Sequence, residues 1–233
     1  DRLGNNNSHC NVANKKIEMK ILNLYACLGG NRYKWDEVTD IEVTAVEWDE
    51  ELAKLYQERF PNDTVIVADA HQYLLDHYKE FDFIWSSPPC PSHSKINQTQ
   101  YTRECWTPRY PDMKLYQEII FLNMFFKGKY CIENVVPYYE PLIPAKKRGR
   151  HLYWNNFNLP NKLSYREQPK ISRGLNETKK LCKFHSYDFY QYKGSQRINK
   201  IARNLVDYEA GKTILETAMG ITRKQNVKQT ELF

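Results

Sequence analysis

The chain has 233 residues, of which 41% are apolar and 27% charged, and its formal net charge at pH 7 is +6. This length and composition predict one globular domain of ordinary size. No apolar run reaches the roughly 18 residues of a membrane helix. Residues 1–18 lack the apolar centre of a secretory signal, so we expect a cytoplasmic protein with a disordered leader or expression remnant.

Cysteine spacing argues against a disulfide framework and against structural zinc. The six cysteines are scattered without a C-x-x-C pair, whereas disulfide frameworks are typical of much shorter secreted chains. Cys182 and His185 have metal-like spacing but no second pair, so we expect no metal. The basic surplus favours a polyanionic partner, because neutralised phosphates release counterions, but it fits an ordinary solvated surface equally well.

Strands and helices alternate along the first 135 residues. Short apolar runs predict strands at 20–26, 41–48, 64–70, 81–87 and 129–135, and amphipathic stretches predict helices at 49–60, 71–79 and 112–126. A long polar segment covers 91–111. The alternation predicts an α/β fold, with a mostly parallel central sheet and helices on both faces. Such sheets bind ligands beyond the carboxyl ends of their strands.

The pattern weakens after residue 155. Residues 155–200 are rich in Asn, Lys, Tyr and Pro with no sustained period, and 202–220 predicts a turn followed by one amphipathic helix. We therefore predict a main domain over 19–154 and a small irregular insert over 155–200. The C-terminal segment, 201–233, would pack its helix back on the main domain.

Polar or flexible residues follow the first three predicted strands. Gly29 and Gly30 allow close backbone approach after the first strand, although the sequence lacks G-x-G-x-x-G. Glu47 could accept hydrogen bonds from ribose hydroxyls, with Trp48 beside it to stack on a purine, and Asp69 could accept from an adenine amino group. Each feature alone could be a tight turn or a helix N-cap. Together they favour an adenosine-containing cofactor.

A thiol and an acid follow the next two strands. Cys90 comes directly after the rigid step Pro88–Pro89, where a cysteine could be a core filler, a metal ligand or a nucleophile. Glu133 and Asn134 end the fifth predicted strand. A thiol and a carboxylic acid on one edge of a sheet could attack and protonate a heterocycle together. The following "RGR" segment could hold an acceptor oxygen or a phosphate.

Five short segments, in the same order, resemble those of the cytosine-5 DNA methyltransferases. "NLYACLGGN" is similar to the family's Phe-Ala-Gly-x-Gly-Gly cofactor loop, "PPCPSHS" to its Pro-Cys-Gln-Pro-x-Ser nucleophile loop, and "ENV" to its Glu-Asn-Val. "RGR" resembles its Arg-x-Arg pair and "RNLVDYEAG" its late Asn-x-Val segment. The resemblance covers about 20–154 and 203–219, and it implies a Rossmann-like fold dependent on S-adenosylmethionine.

The resemblance implies a role for each matching residue. Cys90 would attack C6 of a flipped-out cytosine, Glu133 would hydrogen-bond N3 and Arg150 would contact O2, with Arg148 supporting the site. The implied cofactor residues are Tyr25, Ala26, Cys27, Leu28, Gly29, Gly30, Glu47, Trp48, Asp69, Ala70, Pro89, Leu115, Asn204 and Val206. The polar loop after the nucleophile is expected to close over nucleic acid through Ser92, His93, Ser94, Lys95, Arg103 and Arg109.

The implied partners are S-adenosylmethionine, released as S-adenosylhomocysteine, and DNA. A cognate restriction enzyme is a further candidate partner, and we expect a monomer in a bacterial or phage-infected cell. Two departures from the family pattern are Cys27, which replaces a glycine, and the short target-recognition region over 155–200.

Three alternatives stay open at this point. "SPPC" is similar to the Ser-Pro-Pro-Tyr of enzymes that methylate the exocyclic amino group of cytosine or adenine, although Cys90 stands in place of the aromatic. A branch of the same family methylates tRNA. A non-catalytic nucleic-acid binder could also keep the fold, but it would be expected to lose Cys90, Glu133 or Arg150.

Overall fold

The computed structural model describes residues 18–95, 107–164, 166 and 176–221. The described residues form seven strands: β1 Met19–Leu24, β2 Ile41–Glu47, β3 Thr64–Val67, β4 Phe83–Ser86, β5 Lys129–Val135, β6 Lys146–Arg148 and β7 His151–Asn155. They also form six α-helices: α1 Glu50–Arg59, α2 Ala70–His77, α3 Lys114–Phe125, α4 Asn176–His185, α5 Ile198–Asn204 and α6 Tyr208–Ala218. None of the described helices has the length and apolarity needed to cross a membrane.

The strands form a single sheet in the order β3-β2-β1-β4-β5-β7-β6. Strands β1 to β5 are parallel to one another, whereas β7 is antiparallel to both β5 and β6. The predicted α/β class with a mostly parallel sheet is therefore confirmed. Because parallel strands end on the same side, the carboxyl ends of β1 to β5 meet at one edge, which we call the carboxyl edge.

Helices cover both faces of the sheet, as predicted. On one face, Leu74 of α2 and Leu122 of α3 pack in a buried cluster with Ile84 of β4. On the other face, Ile214 of α6 packs in a second cluster with Trp85 of β4. Every residue of β4 is buried, which explains why its sequence is a continuous apolar run rather than an alternating one.

The sequence did not predict the hairpin β6–β7, which extends the sheet beyond β5. Its first strand is "KKR", whose three charges match no strand pattern, and it lies at the sheet edge where charged side chains stay solvated. Gly149 forms the turn with φ of 59°, a left-handed conformation that favours glycine. The hairpin holds the "RGR" segment beside the end of β5.

Residues 155–200 are more regular than their sequence predicted. They include α4, most of whose residues are polar, so that only a narrow stripe containing Leu181 is buried. That stripe joins Ile201 of α5 and Leu55 of α1 in a third apolar cluster, which also includes Leu28 of the turn after β1. Sequence reasoning missed this helix, although its amphipathic pattern is at least as strong as that of the helices predicted at 49–60 and 71–79.

Candidate functional site

The turn after β1 is tightly folded and fastened to the end of β2. Tyr25, Cys27 and Gly29 have φ values of 56°, 49° and 64°, and only glycine adopts such values without strain. The Cys27 backbone N–H donates to Glu47 Oε2 at 2.8 Å. The predicted cofactor turn thus keeps its shape through a carboxylate on the neighbouring strand, even with cysteine in place of glycine.

The two glycines of this turn are packed against protein atoms. A Cβ on Gly29 would overlap the Phe60 ring, and a Cβ on Gly30 would overlap the backbone oxygen of Val206. The predicted Asn-x-Val segment therefore lies directly against the cofactor turn, with Asn204 exposed beside it. Both glycines are required for this close fit between distant parts of the chain.

Glu47 and Trp48 differ in exposure at the end of β2. Glu47 is buried, and its second oxygen, Oε1, accepts from the Asp49 backbone N–H at 3.0 Å. Burial raises the pKa of the Glu47 carboxyl. Trp48 is 67% exposed, so its indole ring is available for stacking on a planar group.

Asp69 lies at the neighbouring position after β3 and is the N-cap of α2. Its Oδ1 accepts from the backbone N–H groups of His71 and Gln72, and its Oδ2 is 3.2 Å from Lys114 Nζ. The helix-cap interpretation is thus correct for Asp69, but Oδ2 remains at the surface. A carboxylate accepts about four hydrogen bonds, so Glu47 and Asp69 both fit the hydroxyl and amino donors of adenosine.

Four of the predicted cofactor residues have side chains in the core. Ala26, Leu28, Ala70 and Leu115 are all at most 4% exposed, and they pack in the apolar clusters beneath the carboxyl edge. Their side chains therefore lie beneath the carboxyl edge and do not form its surface, where a bound cofactor would contact them directly. The sequence cannot distinguish a buried residue that supports a site from one that lines it, because both are apolar.

Cys90 lies on the loop after β4, at the carboxyl edge and half-buried. The loop folds back at once, because the Cys90 carbonyl accepts from the backbone N–H groups of His93 and Ser94, each at 3.0 Å. Asn134 Nδ2 donates to the Pro88 carbonyl at 2.9 Å, which ties the loop to the end of β5. Pro89 is exposed beside the thiol.

Glu133 is buried near the end of β5, and its charge acts on the Cys90 thiol. Burial and the nearby Glu133 carboxylate together raise the pKa of Cys90 to about 11, while Lys200 and Arg150 oppose the increase. The parallel register pairs Ser86 of β4 with Ile132 of β5, so the loop carrying Cys90 starts beside Glu133. The predicted thiol and acid are thus brought together at one edge.

The two arginines of "RGR" have different environments. Arg148 donates from Nε to the Pro160 carbonyl at 2.5 Å and from Nη2 to the Leu159 carbonyl at 3.2 Å, so it holds the chain that leaves β7. Arg150 is exposed at the hairpin turn, and its charge acts on Cys90. Arg150 is therefore placed to contact a substrate, and Arg148 to support the fold around it.

His93, predicted to contact nucleic acid, has a side chain that is only 1% exposed in this structure. Its Nδ1 is 2.5 Å from the Tyr139 hydroxyl, and its carbonyl accepts from the Tyr138 backbone N–H at 3.0 Å. His93 thus joins the loop after β4 to the loop after β5. The isolated bridge between Ser94 and Pro137 makes the same connection.

The other residues predicted to contact nucleic acid differ in how exposed they are. Lys95 and Arg109 are exposed, whereas Ser92 is half-buried and its Oγ accepts from the Asp112 backbone N–H at 3.0 Å. Arg103 lies outside the described residues.

Sequence reasoning missed Glu118, a fully buried carboxylate on α3. It accepts from the Tyr25 hydroxyl and the Ser86 hydroxyl, both at 2.6 Å, and its Oε1 is 3.0 Å from His71 Nδ1. Glu118 therefore connects the cofactor turn, the end of β4 and α2. The available signal was a single acid within the otherwise buried face of an apolar helix.

Comparison with known protein families finds one family that matches the part of the chain carrying the carboxyl edge. Residues 19–135 match the family model described as C-5 cytosine-specific DNA methylase, and this match spans β1 to β5 with both candidate catalytic residues. No match was found among curated proteins. Within the described part of the chain, no group of three or more His, Cys, Asp or Glu side chains could hold a metal ion.

Two solved structures are similar to parts of this chain, both with TM-scores below 0.5. A mutant of DNMT2 from Spodoptera frugiperda is 24% identical over 51% of this chain and 36% of that chain, with a TM-score of 0.36. The methyltransferase EhMeth from Entamoeba histolytica is 10% identical over 88% of this chain and 99% of that chain, with a TM-score of 0.49. The aligned part spans about a third of the Spodoptera protein.

Proposed function

Because this chain belongs to the C-5 cytosine-specific DNA methylase family, we propose that it methylates C5 of cytosine in DNA, with Cys90 as the nucleophile. The observation that carries the proposal is that Cys90, on the loop after β4, and Glu133, near the end of the adjacent parallel strand β5, lie at the same edge of the sheet, where the Glu133 charge acts on the thiol. S-Adenosylmethionine, when bound, supplies an electrophilic methyl group. Glu47 would hold its ribose, Asp69 its adenine amino group, and Trp48 would stack on its base.

The proposed reaction needs both the thiol and the acid. C5 of cytosine is a weak nucleophile, so the Cys90 thiolate adds to C6 while Glu133 gives a proton to N3. The ring becomes an enamine whose C5 takes the methyl group. S-Adenosylhomocysteine is the leaving group of this transfer. Loss of the C5 proton to a base, return of the N3 proton to Glu133 and cleavage of the bond from sulfur to C6 then restore the aromatic ring, the protonated acid and the free thiolate.

The electrostatic coupling of Cys90 and Glu133 supports this division of roles. Cys90 has a pKa near 11 partly because Glu133 is negative. A proton on Glu133 removes that charge, so the thiolate and the protonated acid favour each other. In the free protein, burial and the Glu133 charge therefore oppose formation of the Cys90 thiolate, and the proposed reaction needs that charge to be neutralised when the thiolate forms.

The loops around the thiol support a preorganised site. The bond from Asn134 to Pro88 and the contact between His93 and Tyr139 hold the Cys90 loop against the end of β5. A fixed nucleophile avoids the entropic cost of ordering at the moment of reaction. The target base is out of reach inside a duplex, so it must be flipped out, and Arg150 would contact its O2.

We propose DNA as the partner molecule, contacted by the exposed Lys95 and Arg109 and by Lys200 of α5. The region proposed for target recognition, 155–200, is short, which predicts a short recognition sequence, loose specificity or help from another protein. We propose that the protein acts as a monomer. Its partner in the same cell would be a cognate restriction enzyme.

The deciding experiment is methyl transfer by a Cys90→Ala variant. We expect the wild type to place label from S-adenosylmethionine on C5 of cytosine in duplex DNA. Cys90→Ala should lose at least about 1,000-fold in kcat, because the covalent step is removed, while still binding S-adenosylmethionine in calorimetry. Cys182→Ala, which changes a half-buried cysteine of α4, should retain activity.

Two further measurements separate the rival activities. DNA containing 5-fluorocytosine should trap a covalent adduct with the wild type but not with Cys90→Ala. Parallel assays with tRNA in place of DNA test the alternative that this chain methylates cytosine in tRNA. Undiminished methylation by Cys90→Ala, or label recovered in N4-methylcytosine or N6-methyladenine, would exclude the proposed mechanism.

A further inference from the structure

His151 begins β7 directly after the hairpin turn and lies against Glu133. Its Nε2 is 3.6 Å from Glu133 Oε1. In the antiparallel register His151 pairs with Val135 and Tyr153 pairs with Glu133, so His151 and Glu133 are diagonal neighbours on one face of the sheet. The contact thus follows from the pairing of two strands whose residues are far apart in sequence.

Both side chains are shielded from water, with relative exposures of 13% for His151 and 9% for Glu133. The Nδ1 atom of His151 is buried and has no hydrogen-bond partner among the described residues. A buried N–H group without an acceptor is rarer in proteins than an unpaired acceptor. This favours the tautomer that carries its proton on Nε2 and directs that proton towards Glu133 Oε1.

The charges around His151 favour its neutral form. Burial lowers the pKa of His151, the Glu133 carboxylate opposes this, and Arg150 adds to it. A neutral imidazole can hold one carboxyl oxygen without locking the acid into its ionised form, whereas an imidazolium would favour the carboxylate.

We propose that His151 is a positioning residue for Glu133, which holds Oε1 so that Oε2 is presented to N3 of the cytosine. This inference rests on the proposed function, in which Glu133 protonates the ring. It assigns to the residue after the Arg-x-Arg pair a role that is separate from substrate binding. Because His151 acts through Glu133, its loss should reduce turnover rather than substrate affinity.

The test compares His151→Gln with His151→Asn, two amides of equal polarity and different reach. The glutamine amide nitrogen can occupy the place of Nε2, whereas the asparagine amide stops near Nδ1. We expect His151→Asn to lower kcat about tenfold or more, as supporting contacts to a reactive group commonly do, and to leave both KM values within about twofold. His151→Gln should recover most of the wild-type kcat. Equal rates in the two variants, or a loss confined to KM, would overturn the proposal.

A second measurement does not depend on activity. The imidazole signals of His151 are followed by NMR during a pH titration of the wild type and of Glu133→Gln. We expect the pKa of His151 to fall further in Glu133→Gln, because the carboxylate that raises it is gone. An unchanged pKa would show that the two side chains are not in contact. A wild type that does not methylate cytosine would defeat the proposed function, while the titration still decides whether the contact exists.

Discussion

At the scale of single residues, the most consequential property is that the Cys90 thiol is a weak acid in the free protein. Burial and the neighbouring Glu133 raise its pKa to about 11, so nearly every molecule carries the protonated thiol at neutral pH. A thiol in this state resists oxidation and adventitious alkylation until a substrate or a proton shift activates it. Burial and the Glu133 charge therefore both oppose formation of the Cys90 thiolate in the free protein.

We predict that Glu133→Gln makes Cys90 more reactive although it impairs methyl transfer. Removing the carboxylate lowers the pKa of Cys90, so alkylation by iodoacetamide at pH 8 should become about three- to tenfold faster. Arg150→Gln is the matched control and should slow alkylation, because Arg150 lowers the same pKa. Peptide mass spectrometry gives both rates, with Cys182 as an internal reference. A slower reaction in Glu133→Gln would contradict the assigned coupling.

At the scale of secondary-structure elements, the Glu118 carboxylate of α3 connects three other parts of the fold: the turn after β1, strand β4 and helix α2. It accepts from Tyr25 in the turn after β1 and from Ser86 of β4, and it contacts His71 of α2. Tyr25 has a strained backbone with φ of 56°, so its hydroxyl contact helps to hold the cofactor turn. The carboxylate also raises the pKa of His71 through their hydrogen bond.

Replacement of Glu118 by Gln should therefore weaken both the fold and the cofactor site. An amide cannot accept from both hydroxyls, and a buried donor left unpaired costs roughly 1–3 kcal/mol of unfolding free energy. Tyr25→Phe removes a single donor and should cost about 1 kcal/mol. Urea denaturation and S-adenosylmethionine calorimetry measure the two effects. The exposed neighbour Gln117→Ala should stay within about 0.5 kcal/mol of the wild type, and a similarly small change in Glu118→Gln would show that the network contributes little.

At the scale of the whole molecule, burial keeps three of the described histidines neutral: His93 and His185, which are fully buried, and His151, which is mostly buried. Burial lowers the pKa values of His93, His151 and His185, and that of His185 falls to about 3. His185 belongs to α4, and its ring packs edge-on against Phe189 beside the cluster that joins α4 and α5 to α1. Protonation of such a group is coupled to loss of the folded state.

Acid should therefore destabilise the protein well before its carboxylates are protonated. Below about pH 6.5 the unfolded chain binds a proton at His185 that the folded protein does not bind until about pH 3. Stability is full above pH 6.5 and falls by up to about 1.4 kcal/mol per pH unit, or roughly 2 kcal/mol by pH 5. His185→Phe should flatten this dependence in urea melts, whereas the exposed His77→Gln should not. An unchanged slope in His185→Phe would assign the acid sensitivity elsewhere.

The sequence by itself determined the first five strands and which polar and charged residues follow them. Each of those strands is a local apolar run, and parallel strands must end on one side, so Glu47, Asp69, Cys90 and Glu133 could be placed at one edge before any coordinates. The order of the motifs also indicated the family.

Only the tertiary structure decided which of these groups touch. The contact of His151 with Glu133 depends on a hairpin whose first strand is "KKR", and the burial of His93 depends on Tyr139 from another loop. Glu118 meets partners 32 to 93 residues away in the chain. Periodicity reports the burial of one element along its own length, whereas partners across elements are chosen by packing, for which a single sequence carries no local signal.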